Sequence, residues 1–205
     1  MVAIVDYNLG NLRSVEKAVK RVGYDCIITR NRQILQKSSR LILPGVGNFL
    51  QAVNNLKQYG LTEILSELVL SQKKPILGIC LGMQLMTTFS EEGDCNGLNW
   101  IRARTRLFRL NAHKVPHIGW NTLDINKNRN VCIIPDSTDE FYFVHSYFVS
   151  CEDPEDILFS TRYEISFTSG FLRDNIMGVQ FHPEKSHTSG LKILKYFLSQ
   201  QDVQA

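Results

Sequence analysis

Lys73-Lys74-Pro75-Ile76-Leu77-Gly78-Ile79-Cys80-Leu81-Gly82-Met83-Gln84 is the stretch that decides how this chain folds. Pro75 to Ile79 is a short apolar run of the length expected for a buried strand. Beyond it, Leu81, Leu85 and Met86 fall at i, i+4 and i+5, the spacing of a helix face turned inward. Cys80 therefore stands where a strand gives way to a helix, with Gly78 two residues before it and Gly82 two after. That is the G-x-S-x-G nucleophile elbow with sulfur in place of oxygen. So sharp a turn leaves no room for side chains at the two glycine positions. A helix N-terminus favours a thiolate, and the N–H of Leu81 points where an oxyanion would form. Read alone, Cys80 is either a nucleophile or a buried core thiol, the ordinary fate of a free cysteine.

Towards the N-terminus the chain alternates strand and helix signals. Met1 to Val5 reads as a buried strand followed by the polar loop Asp6-Tyr7-Asn8-Leu9-Gly10-Asn11. Leu12, Val15, Val19 and Val22 then mark an amphipathic helix closed by Gly23, and Cys26-Ile27-Ile28 is a second strand. The single glycine of the first loop falls short of a dinucleotide-binding G-x-G-x-x-G. Arg40-Leu41-Ile42-Leu43 reads as a third strand, broken by the tight loop Pro44-Gly45-Val46-Gly47, whose amides can face an anion. Phe49 to Tyr59 and Leu61 to Leu70 read as helices separated by Gly60. This order predicts an α/β fold with a mostly parallel central sheet, flanking helices and right-handed crossovers. Sites in such sheets form beyond the carboxyl ends of the strands. The Asp6 loop, the Pro44 loop and Cys80 would share that rim.

After Ser90 the pattern changes. Glu91-Glu92-Gly93-Asp94 reads as a loop. Arg102, Arg104, Arg106 and Arg109 decorate a strand-like segment resembling an outer hairpin, either a solvated basic face or a surface for an acidic partner. Val115-Pro116-His117-Ile118-Gly119-Trp120-Asn121 reads as a loop in which His117 is either catalytic or, as a single loop histidine more often is, structural. Glu140 to Tyr147 is a β-prone run with Phe141, Phe143 and His145 on one face and Tyr142, Val144 and Ser146 on the other. Asp153-Pro154-Glu155-Asp156 is an acidic turn, and Ile165–Phe171 pairs with Ile176–Phe181. These are antiparallel additions to the same sheet. Leu191, Leu194, Phe197 and Leu198 mark a closing helix, and Gln200 to Ala205 a frayed tail. With neither repeat nor linker, residues 1–205 read as one domain.

Composition narrows the function classes. A formal net charge of +3, with scattered Lys and Arg, does not indicate nucleic acid. No apolar run approaches membrane-spanning length, and strand-like Val2-Ala3-Ile4-Val5 follows Met1 at once, so neither a membrane span nor a signal peptide is expected. Five widely spaced cysteines without a C-x-x-C pair indicate no disulfide framework, no metal site and a cytoplasmic home.

The second chemical cluster is His182-Pro183-Glu184, placed where the Ile176–Phe181 strand ends. Proline restrains its neighbours so that His182 and Glu184 project to one side. A carboxylate beside an imidazole fixes its tautomer and stabilises the imidazolium, the orienting role in a triad. Alone the pair reads as a surface ion pair; together with Cys80 it reads as a Cys-His-Glu set for acyl transfer through a thioester.

Gly78-Ile79-Cys80-Leu81-Gly82-Met83-Gln84 and Gln180-Phe181-His182-Pro183-Glu184-Lys185-Ser186 resemble the class I (triad) glutamine amidotransferases, a flavodoxin-like fold. Pro44-Gly45-Val46-Gly47, Pro116-His117-Ile118-Gly119-Trp120-Asn121 and Tyr142-Phe143-Val144-His145-Ser146-Tyr147 narrow the resemblance to the glutaminase subunits of imidazole glycerol phosphate synthase. The resemblance covers essentially the whole chain and implies no cofactor. It implies Cys80 as nucleophile, His182 as acid and base, and Glu184 as its orienting partner. It further implies an oxyanion hole from Leu81 with Val46 and Gly47, and glutamine held by Gln84, Ser146 and Tyr147. A (β/α)₈-barrel cyclase would receive the ammonia, with Asn8, Asn11, Tyr142 and Lys185 near the docking surface. The partner would then make imidazole glycerol phosphate and aminoimidazole carboxamide ribotide.

Two departures widen the choice of acceptor. Asn99-Trp100-Ile101-Arg102-Ala103 stands where that family has an Ile-Pro-Gly turn. Lys185-Ser186-His187-Thr188-Ser189-Gly190 also resembles paralogues that supply ammonia for surface-sugar synthesis. A stand-alone cysteine hydrolase is a further alternative; a non-catalytic binding module is disfavoured by triad residues at two strand ends.

Overall fold

The computed structural model describes residues 1–126, 135 and 138–200. In chain order its strands are β1 (Val2–Val5), β2 (Cys26–Thr29), β3 (Arg40–Gly45), β4 (Ile76–Cys80), β5 (Phe89–Ser90), β6 (Cys95–Asn96) and β7 (Ala103–Leu107). They continue with β8 (His117–Asn121), β9 (Asp124–Ile125), β10 (Phe141–His145), β11 (Tyr147–Cys151), β12 (Ile157–Tyr163), β13 (Ile165–Arg173) and β14 (Ile176–Val179). The helices are α1 (Leu12–Arg21), α2 (Arg32–Lys37), α3 (Phe49–Gln58), α4 (Leu61–Ser66), α5 (Leu81–Leu85) and α6 (His187–Ser199).

Alternate side chains of β1 explain the layering. Ala3 and Val5 pack with Leu41, Leu43, α3 and α4 on one face, whereas Val2 and Ile4 pack with Val15 and Val19 of α1 and Ile193 and Leu194 of α6 on the other. A strand buried on both faces is apolar throughout, which is why β1 and the run before Cys80 carry no alternation. The sheet runs β2-β1-β3-β4-β14-β13-β11-β7-β5-β6. Its centre, β2 to β14, is parallel; β14–β13, β13–β11 and β11–β7 are antiparallel, and β12 and β9 extend the sheet beside β13. The expected α/β architecture, a parallel centre with helices on both faces and antiparallel additions, is what is found.

Several local expectations change. β3 does not break at Pro44: Pro44 and Gly45 continue it, opposite Ile79 and Cys80 of β4. The sequence reading left out α2, whose six residues bury only Leu35 and so carry no periodic signal. Asn31 caps it by accepting from the N–H groups of Gln33 and Ile34, and Lys74 Nζ donates to the carbonyls of Leu35, Gln36 and Ser38 (2.6–3.0 Å). The segment from Val115 to Asn121 is largely strand: β8 pairs with β10 in a separate two-stranded sheet. The run to Tyr147 is two strands, since the chain leaves β10 at Ser146 and joins the main sheet as β11. The arginine-bearing β7 lies between β11 and β5 rather than in an outer hairpin. Arg104 covers the Phe89 ring at 4.8 Å and Arg109 pairs with Glu91 at 3.1 Å, so part of the basic face is already spoken for. The tail beyond Gln200 lies outside the described residues, as does Cys132; Cys26, Cys80 and Cys95 are free thiols. Among the described residues no helix is long and apolar enough to cross a membrane.

Candidate active site

The elbow follows from packing at the end of β4. Cys80 adopts φ 53°, ψ −108°, a backbone state that non-glycine residues occupy only when their surroundings over-determine it, at a cost of about 1–3 kcal/mol. The surroundings do so here. A Cβ on Gly82 would lie 1.7 Å from the Leu43 carbonyl oxygen, and one on Gly78 would lie 2.8 Å from Gly82 O and Met83 N. Both glycines are therefore required by close approach of backbone, as the spacing predicts. α5 starts immediately at Leu81 and leaves Cys80 6% exposed.

β14 lies beside β4, parallel and in register through Val179 opposite Ile79, so the chain after β14 emerges at the same rim as Cys80. There His182 N–H donates to Tyr142 O (2.9 Å), and Ser186 Oγ donates to His182 O (2.6 Å), fixing the histidine from both sides. His182 Nδ1 meets Glu184 Oε1 at 2.8 Å, with the two side chains 1% and 2% exposed. Burial alone would push the imidazole down. The charge and hydrogen-bonding field of the Cys80 sulfur, together with the Glu184 carboxylate, outweigh it and raise His182 to about 10. Nδ1 is occupied by Glu184, so the sulfur acts on Nε2, which is buried and makes no hydrogen bond of ordinary geometry among the described residues. Cys80, His182 and Glu184, spread over more than a hundred residues of sequence, thus share one site.

Beside the sulfur opens a cavity of about 310 Å³, within the size range of small-molecule sites. Val46, Gly47 and Leu81 line one side, Ser146 and Tyr147 another. Gln84 also lines it, but both N–H bonds of its amide are spent, on Tyr147 O (2.9 Å) and Gln180 Oε1 (3.0 Å). What Gln84 can offer a ligand is its oxygen. The carbonyls of Ser146 and Tyr147 are likewise engaged, by Phe108 N–H and by Gln84 with His145.

Four pocket residues escaped the sequence reading: Glu92, Pro116, Val144 and His145. Glu92, taken only as part of a loop, reaches the cavity while accepting from Phe49 N–H (3.1 Å) and Asn48 Nδ2 (3.2 Å). Burial pushes its carboxyl upward against those hydrogen bonds. His145 also lines the cavity; its Nδ1 faces the Tyr147 carbonyl at 2.8 Å, which fixes that nitrogen as the donor, and its Nε2 lies 3.0 Å from His117 Nδ1. Burial depresses His145 to about 3 and His117 to about 4, so both are neutral near pH 7. His117, packed against Phe143 and Tyr163, has the structural role expected of it, though in a strand. Tyr7 lies fully buried behind the elbow, its hydroxyl without a hydrogen-bond partner among the described residues; burial and the nearby Cys80 charge keep it protonated.

Asn8, Asn11, Tyr142 and Lys185 do not line this cavity. Asn8 and Asn11 lie exposed on the loop before α1, while Lys185 Nζ sits 5.5 Å from the Tyr142 ring centre. Trp120 packs edge-on against Tyr142 and stacks on His187, and with Ile118 it leaves an apolar face (43% and 59% exposed) that the sequence reading did not mark. Its signal was alternation within a segment read as loop: Ile118 and Trp120 point out of β8, while His117 is buried.

An elbow at Cys80, a buried His-Glu pair and a mostly parallel sheet make up the site and fold that the comparisons with known proteins address. The chain belongs to the glutamine amidotransferase class-I family, whose pattern matches residues 3–200. Within that family the chain is HisH-like. It is 47% identical over 201 residues to imidazole glycerol phosphate synthase subunit HisH 2 of Methanococcus maripaludis, covering 98% of this chain and 100% of the relative. Against subunit HisH 1 of Campylobacter jejuni (strain RM1221) identity is 46% over 200 residues, with 97% and 99% covered. A solved glutamine amidotransferase superposes with a TM-score of 0.75 at 18% identity over 97% of both chains, a likeness of fold.

Proposed function

We propose that the chain is the single-domain, cytoplasmic glutaminase subunit of an imidazole glycerol phosphate synthase, with Cys80, His182 and Glu184 as its catalytic residues. The observation that carries this reading is the buried His182, held by Glu184 at 2.8 Å on Nδ1, with its buried Nε2 unpartnered among the described residues at the rim where Cys80 also lies. The sulfur attacks the side-chain carboxamide carbon of glutamine. The oxyanion is held by the N–H of Leu81 and one from the Val46–Gly47 segment, which share the cavity with the sulfur. His182 gives its Nε2 proton to the departing ammonia, then takes one from the water that cleaves the glutamyl thioester, releasing glutamate. Glu184 keeps the imidazole in the required tautomer throughout. Glu92 and the Gln84 oxygen are the acceptors suited to the α-ammonium of glutamine, since ammonium groups only donate.

The ammonia passes to a (β/α)₈-barrel cyclase bound as a heterodimer partner, which makes imidazole glycerol phosphate and aminoimidazole carboxamide ribotide. The exposed Ile118 and Trp120, beside Tyr142 and Lys185, supply an apolar centre with a charged rim for that partner. Asn8 and Asn11 would extend the contact. A second reading keeps the glutaminase and changes the acceptor to a surface-sugar precursor; it is favoured by the Lys185–Gly190 segment.

The test combines purified chain, cyclase partner, glutamine and the phosphorylated ribulose acceptor. Cys80→Ala should lower glutamate release by about 10⁴-fold or more, as loss of a covalent nucleophile does. Ammonia production that survives the substitution would remove Cys80 from the mechanism. Rescue of a histidine auxotroph separates the two acceptors.

A further inference from the structure

The sulfur of Cys80 has a hydrogen-bond neighbour that the mechanism above leaves idle. Gln180, the last residue before Phe181-His182, is fully buried, and its Nε2 lies 3.6 Å from Cys80 Sγ. Its oxygen accepts from Gln84 Nε2 at 3.0 Å, and the same Gln84 nitrogen donates to Tyr147 O at 2.9 Å. The direction of this chain is not a free choice. A backbone carbonyl can only accept, so Tyr147 fixes the Gln84 amide with its nitrogen forward. Gln84 then presents that nitrogen to Gln180, which must answer with oxygen, and the remaining Gln180 N–H groups are left for the sulfur. Turning the Gln84 amide over would set its oxygen against the Tyr147 and Gln180 oxygens, and turning the Gln180 amide over would set its nitrogen against that of Gln84 and its oxygen against the sulfur, in a dry interior. Tyr147 itself is held by its place opposite Leu107 in the β11–β7 pairing.

We propose that Gln180 is the positioning residue of the nucleophile: its Nε2–H holds the Cys80 sulfur as an acceptor, with Gln84 and the Tyr147 carbonyl keeping that N–H on target. The inference rests on the reading of Cys80 as the attacking atom. An N–H donor serves a thiolate better than a thiol, because hydrogen bonds to ionised acceptors are the stronger. The sulfur therefore has a donor on the Gln180 side in addition to His182. The same Tyr147 carbonyl borders the substrate cavity, so the wall of the binding site and the aim of the sulfur depend on one anchor.

The experiment measures the rate of Cys80 alkylation by iodoacetamide against pH in the full chain, with peptide mass spectrometry separating Cys80 from the other cysteines. Gln180→Glu keeps the acceptor for Gln84 and removes the donor; Gln180→Met removes both. The pH midpoint of Cys80 alkylation should rise by about one to two units in each variant, the range of one charge-assisted hydrogen bond. In the unsubstituted chain, the Gln180 side-chain amide proton resonance should move across the same pH interval as alkylation. An unchanged midpoint in either folded variant, or an amide resonance that stays fixed through that interval, overturns the proposal. Absence of glutaminase turnover in the parent would count against the proposed function alone, because alkylation does not require turnover.

Discussion

Two buried histidines close to the Cys80 cavity are treated in opposite ways. On the β14 side His182 is 1% exposed and is raised to about 10; on the β10 side His145 is 6% exposed and is lowered to about 3. Burial is nearly the same, so burial does not decide the charge. The partners do. His182 sits between a carboxylate and a sulfur, both of which favour imidazolium. His145 sits between a carbonyl and a second neutral histidine, and it feels the repulsion of His182 besides. One arm is built to carry a proton and the other to stay uncharged while shaping the wall.

The most forceful way to break this contrast is Glu184→Gln, which strips His182 of its carboxylate and leaves the hydrogen bond of an amide. We expect kcat to fall by about 10²–10⁴-fold, the range seen when a triad loses its orienting acid. With imidazolium less favoured, the basic limb of the pH–kcat/KM profile should move to lower pH; a limb that stays in place would mean that Glu184 does not support the proton on His182. Acid titration sharpens the other arm. Below pH 6.5 the unfolded chain takes up a proton at each of His117 and His145, whereas the folded chain does so only near pH 4 and pH 3. Stability is thus present above pH 6.5 and lost as pH falls, by roughly 2 kcal/mol for each histidine at pH 5. Urea midpoints between pH 7 and 5 measure it, and a flat dependence would contradict the neutral pair. The smallest effect belongs to Asn121, whose Nδ2 approaches His117 Nε2 at 3.4 Å and donates to Arg162 O at 3.1 Å. Asn121→Ala should lower stability by about 1 kcal/mol and leave the basic limb of the activity profile untouched.

The same two sides differ in how far the sequence revealed them. The elbow and the His-Pro-Glu turn are local devices: glycines two residues either side of Cys80 and a proline between His182 and Glu184 report their geometry within a few positions. The convergence of Cys80 and His182 was legible too, because strand ends of a parallel sheet share a rim. The His145 wall depends on pairing between residues 20 to 28 positions apart, with β8 opposite β10, and no local pattern announces it. Ser146 ends β10 without a glycine or proline, so two strands read as one. Glu92 lay in an acidic run whose composition says only loop; its approach to Phe49 N is a tertiary fact. α2 could have been found from its cap, since Asn31 precedes Arg32 in the manner of a helix start.

The near-contact of Gly82 with the Leu43 carbonyl reaches beyond steric fit. It joins the elbow at Cys80 to the terminus of β3, which leads straight into Val46 and Gly47. Gly45 and Cys80 are rungs of the same ladder, so inserting one residue ahead of Pro44 would slide the Val46–Gly47 segment past the sulfur by about 3.3 Å, one strand step. Neither β3 nor β4 can therefore change length without the other, and a graft of this site must carry the two strands as a single piece.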